Sequence, residues 1–305
     1  MPNTIENKKE SKLKVTVNEA NYLDEKNEVV EQVMYNITED DATLSIAKGN
    51  SKIGKGIYSF STLPGNEKYL LRLKRTGELL TTIPGTCSKH CEGCFNGGCY
   101  AVRDAKLHHN VVIKAWGENT LLLRNGKLWG MLEDFISYKN KNPKHPGIKK
   151  FRINVSGEIQ NKGELDNWAA IARNHPEVKF GVYTKNYEAL GEYFDDCMQE
   201  GGVGHPLNFV INVSEWHGVA KAFIDKYSAK YPNLFNVFIY DDSRVEGSPF
   251  TDEERAELKA TIRCPAVTET GRHAKDAAGK PICCDQCGRC YGDHGLGIKT
   301  RVPSH

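Results

Sequence analysis

The sequence predicts an α/β protein, a partial (β/α) barrel with parallel strands, an N-terminal extension and a C-terminal cysteine-rich segment. Three observations carry this. Four short apolar runs, FRINVSGE, KFGVYTKN, NFVINVSE and FNVFIYDD, recur roughly thirty residues apart and read as buried strands. Between them lie GELDNWAAIARN, YEALGEYFDDCMQE and HGVAKAFIDKYSAK, each with apolar residues at helical spacing and long enough to cross over between parallel strands. The strand ends are polar: Ser156, Gly157 and Glu158; Thr184, Lys185 and Asn186; Asn212, Ser214 and Glu215; Asp241 and Asp242. Parallel sheets place their chemistry at that edge.

The chain has 305 residues, enough for one barrel-like domain with extensions, and divides by pattern into 1–68, 69–263 and 264–305. Its 39% hydrophobic and 26% charged content is that of a soluble globular protein. With 41 basic against 39 acidic side chains, no global field argues for nucleic acid or for a membrane surface. No helix-turn-helix, zinc-finger or single-strand-binding signature is present. The opening MPNTIENKKESKLKV lacks the apolar core of a signal peptide, and no run approaches the ~20 apolar residues of a membrane span. A cytoplasmic protein is expected.

In chain order, residues 1 to about 45 read as a polar, partly ordered arm. KGNSKIGKGIYSFSTLPG follows as a loop and a strand. Its Lys52, Gly54, Lys55 and Gly56 have the composition of an anion cradle, but without a Walker pattern the stretch reads as an ordinary loop. YLLRLKRTGELLTTIP reads as a strand or hairpin leading into the first cysteines. VRDAKLHHNVVIKAW and LWGMLEDFISYK are helical, with Gly117 and Gly126 expected to break them and His108 and His109 on a solvated face. NKNPKHPGIKK is a solvated connector. Thr251 and Glu254 form a capping box before a last short strand, ATIRCPAV. Core packing is expected for Trp168, Tyr183, Phe238, Tyr240 and the isolated Cys197.

Nine of the ten cysteines fall into two groups, which favours metal binding in a reducing compartment over disulfides. TCSKHCEGCFNGGCYA sets Cys87, Cys91 and Cys94 at C-x3-C-x2-C, with Cys99 close behind. Three thiolates this close can converge on one iron–sulfur cluster or one soft ion. The second group joins Cys264, in a Cys-Pro pair, to Cys284, Cys287 and Cys290 at C-x2-C-x2-C, leaving Cys283 spare. Its four thiolates suit a second [4Fe-4S] cluster or, as the rival, structural zinc.

A C-x3-C-x2-C loop after a first strand, followed by a strand ending in Gly157-Glu158, resembles the radical S-adenosylmethionine superfamily over about residues 80–265. The resemblance implies a [4Fe-4S] cluster on Cys87, Cys91 and Cys94 whose open iron chelates S-adenosylmethionine. It implies reductive cleavage to a 5′-deoxyadenosyl radical that abstracts a substrate hydrogen. Ser156, Gly157 and Glu158 match the family's Gly-Gly-Glu segment, which holds the methionine amino group. Asn212 and Ser214 match through their place on a later strand, and Cys264, Cys284, Cys287 and Cys290 through the auxiliary cluster of many members. A flavodoxin or ferredoxin is the implied electron donor; the substrate stays open. Gly93 replaces a usual aromatic and Ser156 a glycine, while Cys99 is placed to cap the open iron. KGNSKIGKGIYSFSTLPG together with a loop ending in CYA is also similar to a phage-encoded family of unassigned activity. The alternatives are a non-catalytic phage-type binding protein with zinc or fully ligated clusters, and an electron carrier. Glu158 has its own alternative, as a cap of the following helix.

Overall fold

The computed structural model describes residues 20–23, 29–33, 42–49, 53–65, 68–72, 79–88, 91, 94, 99–244 and 246–303. The arm before residue 20, Lys52 and Gly93 lie outside these. Strands β1 (Ala20–Leu23) and β2 (Val29–Val33) pair with the hairpin β5 (Lys68–Arg72) and β6 (Leu79–Pro84) in an antiparallel sheet of order β2-β1-β5-β6. The expected hairpin does run into the cysteine loop. The main sheet uses β3 (Ala47–Lys48), β4 (Ile57–Ser59), β7 (Lys150–Ile153), β8 (Lys179–Thr184), β9 (Phe209–Glu215), β10 (Asn236–Asp241), β11 (Ile262–Arg263) and β12 (Lys299–Pro303). Its order is β11-β12-β10-β9-β8-β7-β4-β3, parallel throughout except where β3 meets β4.

Helices α1 (Tyr100–Leu107), α2 (His109–Arg124) and α3 (Leu128–Lys141) cross from the cysteine loop to β7. Helices α4 (Lys162–Asn174), α5 (Tyr187–Cys197) and α6 (Lys221–Lys230) link the next strands, and α7 (Asp252–Ala260) precedes β11. Alternation along the strands sends Phe151, Ile153, Phe180, Val182, Phe209, Ile211 and Val213 to one face. There they join Leu132, Trp168, Leu190 and Phe194 from the helices in a single core. A doubly wound sheet would need helices on both faces. Here the helical core lies on one, as in a partial barrel.

Several local expectations hold and others change. Thr251 Oγ1 accepts from the Glu254 amide at 3.2 Å while Glu254 Oε2 accepts from the Thr251 amide at 2.8 Å, completing the capping box. Trp168 and Cys197 are core residues. Helix α2, however, runs through Gly117, because a buried helical glycine costs only about 1 kcal/mol and packing outweighs that. Tyr183, Phe238 and Tyr240 are half-buried on the opposite, concave face instead of in the core. Tyr183 and Phe238 meet there edge to face at 4.8 Å. Strand β12 was not expected at all: KTRVP carries a Lys, an Arg and a Pro. It enters between β10 and β11 because buried Arg301 finds Asp241 at 2.9 Å and Glu269 at 2.6 Å.

Helix α4 begins at Asn161, whose Oδ1 accepts from the Glu164 amide at 3.0 Å, and Glu164 Oε2 returns to the Gln160 amide at 2.9 Å. Burial pushes the Glu164 carboxyl up to about 7. A raised carboxylate binds a proton more readily folded than unfolded, so its contribution turns unfavourable as pH climbs from 4.5 towards 7. Glu164→Gln is therefore expected to flatten that fall, worth roughly 2–4 kcal/mol, in urea midpoints measured at pH 5 and pH 8. Parallel pH profiles for both proteins would contradict this.

Candidate functional site

The cysteine loop sits at the C-terminal edge of β4 and β7. The chain after β6 returns to the stretch following β4: the Thr86 amide donates to Leu63 O at 2.9 Å and the Cys87 amide to Gly65 O at 3.1 Å. The Gly65 amide in turn donates to Cys87 Sγ at 3.1 Å. Strand β7 brings in Ser156, Gly157 and Glu158. Gly157 has φ +83°, and a Cβ there would fall 1.9 Å from Thr62 Oγ1 and 2.4 Å from Thr86 Oγ1. Only glycine lets the strand end lie this close. Ser156 Oγ donates to Thr62 O at 3.0 Å, and the Glu158 amide donates to Thr86 Oγ1 at 2.9 Å.

Glu158 is 3% exposed and does not cap α4, since Asn161 does. Its Oε1 accepts from the Ile159 amide and its Oε2 from the Lys185 amide, both at 2.8 Å, and Oε2 stands 3.8 Å from Cys91 Sγ. Burial pushes its pKa up against the pull of Lys185. The thiols form two hydrogen-bonded pairs. Cys87 donates to Cys91, so the bond and burial raise Cys87 while the same bond lowers Cys91. Cys94 donates to Cys99, which that bond, with the Ala101 and Val102 amides at the start of α1, brings down to about 6 despite burial. One cation faces all of them: burial alone would lower Lys185, but Cys94, Glu158, Cys91 and Cys87 hold it up.

The second group lies on the concave face, packed against β8 and β9. Two stretches of the C-terminal segment, the helical turn Cys284–Cys287 and the 3₁₀ turn Arg289–Tyr291, fill that face. Gly181 makes room: a Cβ there would meet the Tyr291 ring at 2.9 Å and Cys290 O at 3.0 Å. The segment is fastened by charge. Asp293 takes Lys150 at 2.6 Å and also Lys179. Asp285 sits in the Gly54–Gly56 turn, where the Gly56 amide reaches its Oδ2 at 3.4 Å, its own amide donates to Ile53 O at 3.0 Å, and a Cβ on Gly54 would strike its carboxylate at 2.0 Å. The glycine-rich loop is thus a turn that seats an acidic side chain of the same chain.

Cys264, Cys284 and Cys290 act on one another, and burial pushes Cys284 up to about 11 and Cys290 up to about 12. Cys287 bears on Cys264 and Cys284, whereas the Cys283 thiol turns to Pro281 O at 3.5 Å. Tyr183 hydrogen-bonds Cys290, and the Arg152 guanidinium lies 4.1 Å over the Tyr183 ring. Burial alone would lower Arg152, but Tyr183, Tyr100, Tyr291 and Cys284 hold it up. Among the described residues, no group of three or more His, Cys, Asp or Glu side chains stands ready to hold a metal ion. Both groups are all-thiol and flanked by cations, a donor set suited to soft metals and iron–sulfur groups rather than to hard ions.

Residues 36–292 match the Gene product 88 family. The chain belongs to that family, a phage gene-product family of unassigned function. No curated protein and no solved structure matches it. In this Gene product 88 protein the matched stretch covers both cysteine groups and the strand ends between them. The structure sets Cys91 against Glu158 and joins Cys87 to Cys91 and Cys94 to Cys99 as pairs. It does not bring Asn212 to them: Asn212 Nδ2 donates to Val182 O at 3.0 Å and to Cys290 O at 3.1 Å, which ties it to the second group. Ser214 lies two residues further along the same face, its carbonyl accepting from Tyr187 Oη at 2.7 Å. Lys185 was named only as one of the polar strand ends, and Thr86 and Arg152 were not singled out from sequence. A signal existed for Arg152, a charge inside an apolar strand, and for Lys185, at a strand end. Thr86 carried none, because its role is to receive the Glu158 amide from a distant strand. No described helix is long and apolar enough to cross a membrane.

Proposed function

We propose that this Gene product 88 protein is an iron–sulfur enzyme that holds a [4Fe-4S] cluster on Cys87, Cys91 and Cys94 and cleaves S-adenosylmethionine reductively, beginning radical chemistry on a substrate. The observation that supports this reading is the meeting of the thiol loop with Gly157-Glu158 at one strand edge, with Cys91 Sγ 3.8 Å from Glu158 Oε2. Bound there, a reduced cluster would supply the electron that breaks the sulfonium bond. Lys185 offsets the thiolate charge. Glu158, fixed by two amides, presents a rigid carboxylate to an ammonium group such as that of methionine. Gly157 lets both approach. Cys264, Cys284, Cys287 and Cys290 would hold a second [4Fe-4S] cluster or zinc, with Arg152 as a counter-charge, and a flavodoxin or ferredoxin would deliver electrons.

The second reading is a non-catalytic binding protein whose clusters are fully ligated. Cys99 favours it, being paired with Cys94 and already low in pKa. Anaerobic reconstitution with iron and sulfide followed by dithionite separates the two. The enzyme reading expects 5′-deoxyadenosine and methionine in the product, about eight irons per chain if both groups carry cubanes, and a changed electron paramagnetic resonance signal on adding the cofactor. Iron without product or spectral response sinks it, unless Cys99→Ala restores both, which identifies Cys99 as a fourth ligand. About two zinc ions and no iron sinks it outright.

A further inference from the structure

The proposed chemistry occupies only the β4–β8 half of the sheet's C-terminal edge. The β9–β10 half carries a group of side chains that it leaves unused. Trp216 follows β9 directly, and Tyr240 lies opposite it near the end of β10. Their rings are stacked at 3.9 Å and 9°, tighter and more parallel than the offset or edge-on geometry that aromatic pairs ordinarily adopt. Both are half-buried on the concave face, so their packing is not that of a core.

Two polar features rim this stack. The Lys185 ammonium lies 5.8 Å over the indole, and the same lysine faces the cysteine loop. A ring seated on Trp216 is therefore beside the thiols. The second is His217, with its ring perpendicular to Trp216 at 5.5 Å. His217 has φ +51°, one of only three left-handed residues other than glycine among those described. Such backbone strain costs about 1–3 kcal/mol. Its Nε2 is held by Asp242 Oδ2 at 3.1 Å, and Asp242 is fixed in turn by Ser248 Oγ at 3.3 Å. The other ring nitrogen, Nδ1, is buried without a partner. The ring packs on Phe250 at 5.0 Å as well, but that contact does not account for a strained backbone, a carboxylate partner and an unused hydrogen-bonding nitrogen together.

We propose that Trp216, Tyr240, Lys185 and His217 form the seat of a nucleotide, with its base on the indole and its phosphate on Lys185. Indole and phenol faces stack on flat heteroaromatic rings, and every purine and pyrimidine presents such a face. The polar edge of a base meets the His217–Asp242 side, and the anionic group meets the ammonium. An aromatic peptide side chain offers a ring but no charge for Lys185, and a sugar phosphate offers charge but no ring for Trp216. As an assignment of the substrate class this rests on the iron–sulfur reading; as a binding site it does not.

Equilibrium dialysis of the full chain against AMP, GMP, CMP and UMP tests it, with inorganic phosphate and S-adenosylmethionine as further arms. At least one nucleotide is expected to bind saturably. Trp216→Leu is expected to weaken it about tenfold or more, the scale of one base–aromatic stack. Lys185→Gln, which leaves the stack intact, is expected to weaken the nucleotide but not the matching nucleoside. Circular dichroism establishes that each variant is folded. No saturable binding by any nucleotide, equal binding by phosphate alone, binding by S-adenosylmethionine only, or binding unchanged in Trp216→Leu would each overturn the proposal. Cofactor cleavage is not read, so failure here leaves the iron–sulfur enzyme standing, and failure of cleavage leaves this seat standing.

Discussion

Gly157→Ala is expected to lower stability by about 3–5 kcal/mol and, on the proposed iron–sulfur reading, to lower the iron that reconstitution places on the first cysteine group. Three costs add. Alanine at φ +83° loses roughly 1–2 kcal/mol to the left-handed backbone. Its Cβ would press into Thr62 Oγ1 and Thr86 Oγ1, which now lie 2.8 Å apart in a buried hydrogen bond. Moving Thr86 also unseats the Glu158 amide, and a buried group left unpaired costs about 1–3 kcal/mol. The strand end and the cysteine loop hang on the same hydroxyl, so stability and metal content should fall together. Urea denaturation and iron analysis read both. A loss under about 1 kcal/mol with full iron would mean that the strand end tolerates the shift and that the close approach is unimportant.

Arg301→Ala is the second large effect, expected at about 3–5 kcal/mol at neutral pH, the usual result of breaking a buried pair by removing one partner. Arg301 and Asp241 are 7% and 6% exposed and bonded at 2.9 Å, and Glu269 completes the cluster at 2.6 Å. Burial alone would raise Asp241; Ser243 and Arg301 outweigh it and hold the carboxyl below its ordinary 3.8. A depressed carboxylate gives stability that is complete above its unfolded value and is lost as pH falls through the folded one. In the variant Asp241 is buried without its cation, and its pKa moves upward. The deficit should therefore be larger at pH 7 than at pH 4, and Arg301→Ala with Asp241→Asn should recover part of it. A deficit independent of pH would assign the loss to packing around β12 instead.

The repeated β-α units were legible because their burial is local: FRINV, KFGVY, NFVIN and FNVFI are apolar runs that each fill one ladder, and every one is a strand of the parallel sheet. The capping box at Thr251 and the buried Trp168 and Cys197 were legible for the same reason. What escaped reading depends on partners far along the chain. Strand β12 is polar, and it is a strand only because Asp241 and Glu269 receive its arginine. The concave face was misread as core because alternation reveals that a residue has two faces to choose from, not what covers the second one. Here part of that cover is a cysteine segment arriving from beyond residue 263, anchored by Asp285 in the Gly54–Gly56 turn.

The sequence by itself determined the α/β class, the likeness to a phage-encoded family and the two sets of thiols, since each is written in the order and spacing of residues along the chain. Only the tertiary structure decided their arrangement: Glu158 beside Cys91, Lys185 shared by the thiols and Trp216, Asn212 drawn to the second group, and Asp285 seated in the Gly54–Gly56 turn. The physical reason is that charges and hydrogen bonds act between atoms close in space. The groups they join here lie from 27 to more than 200 residues apart in the chain.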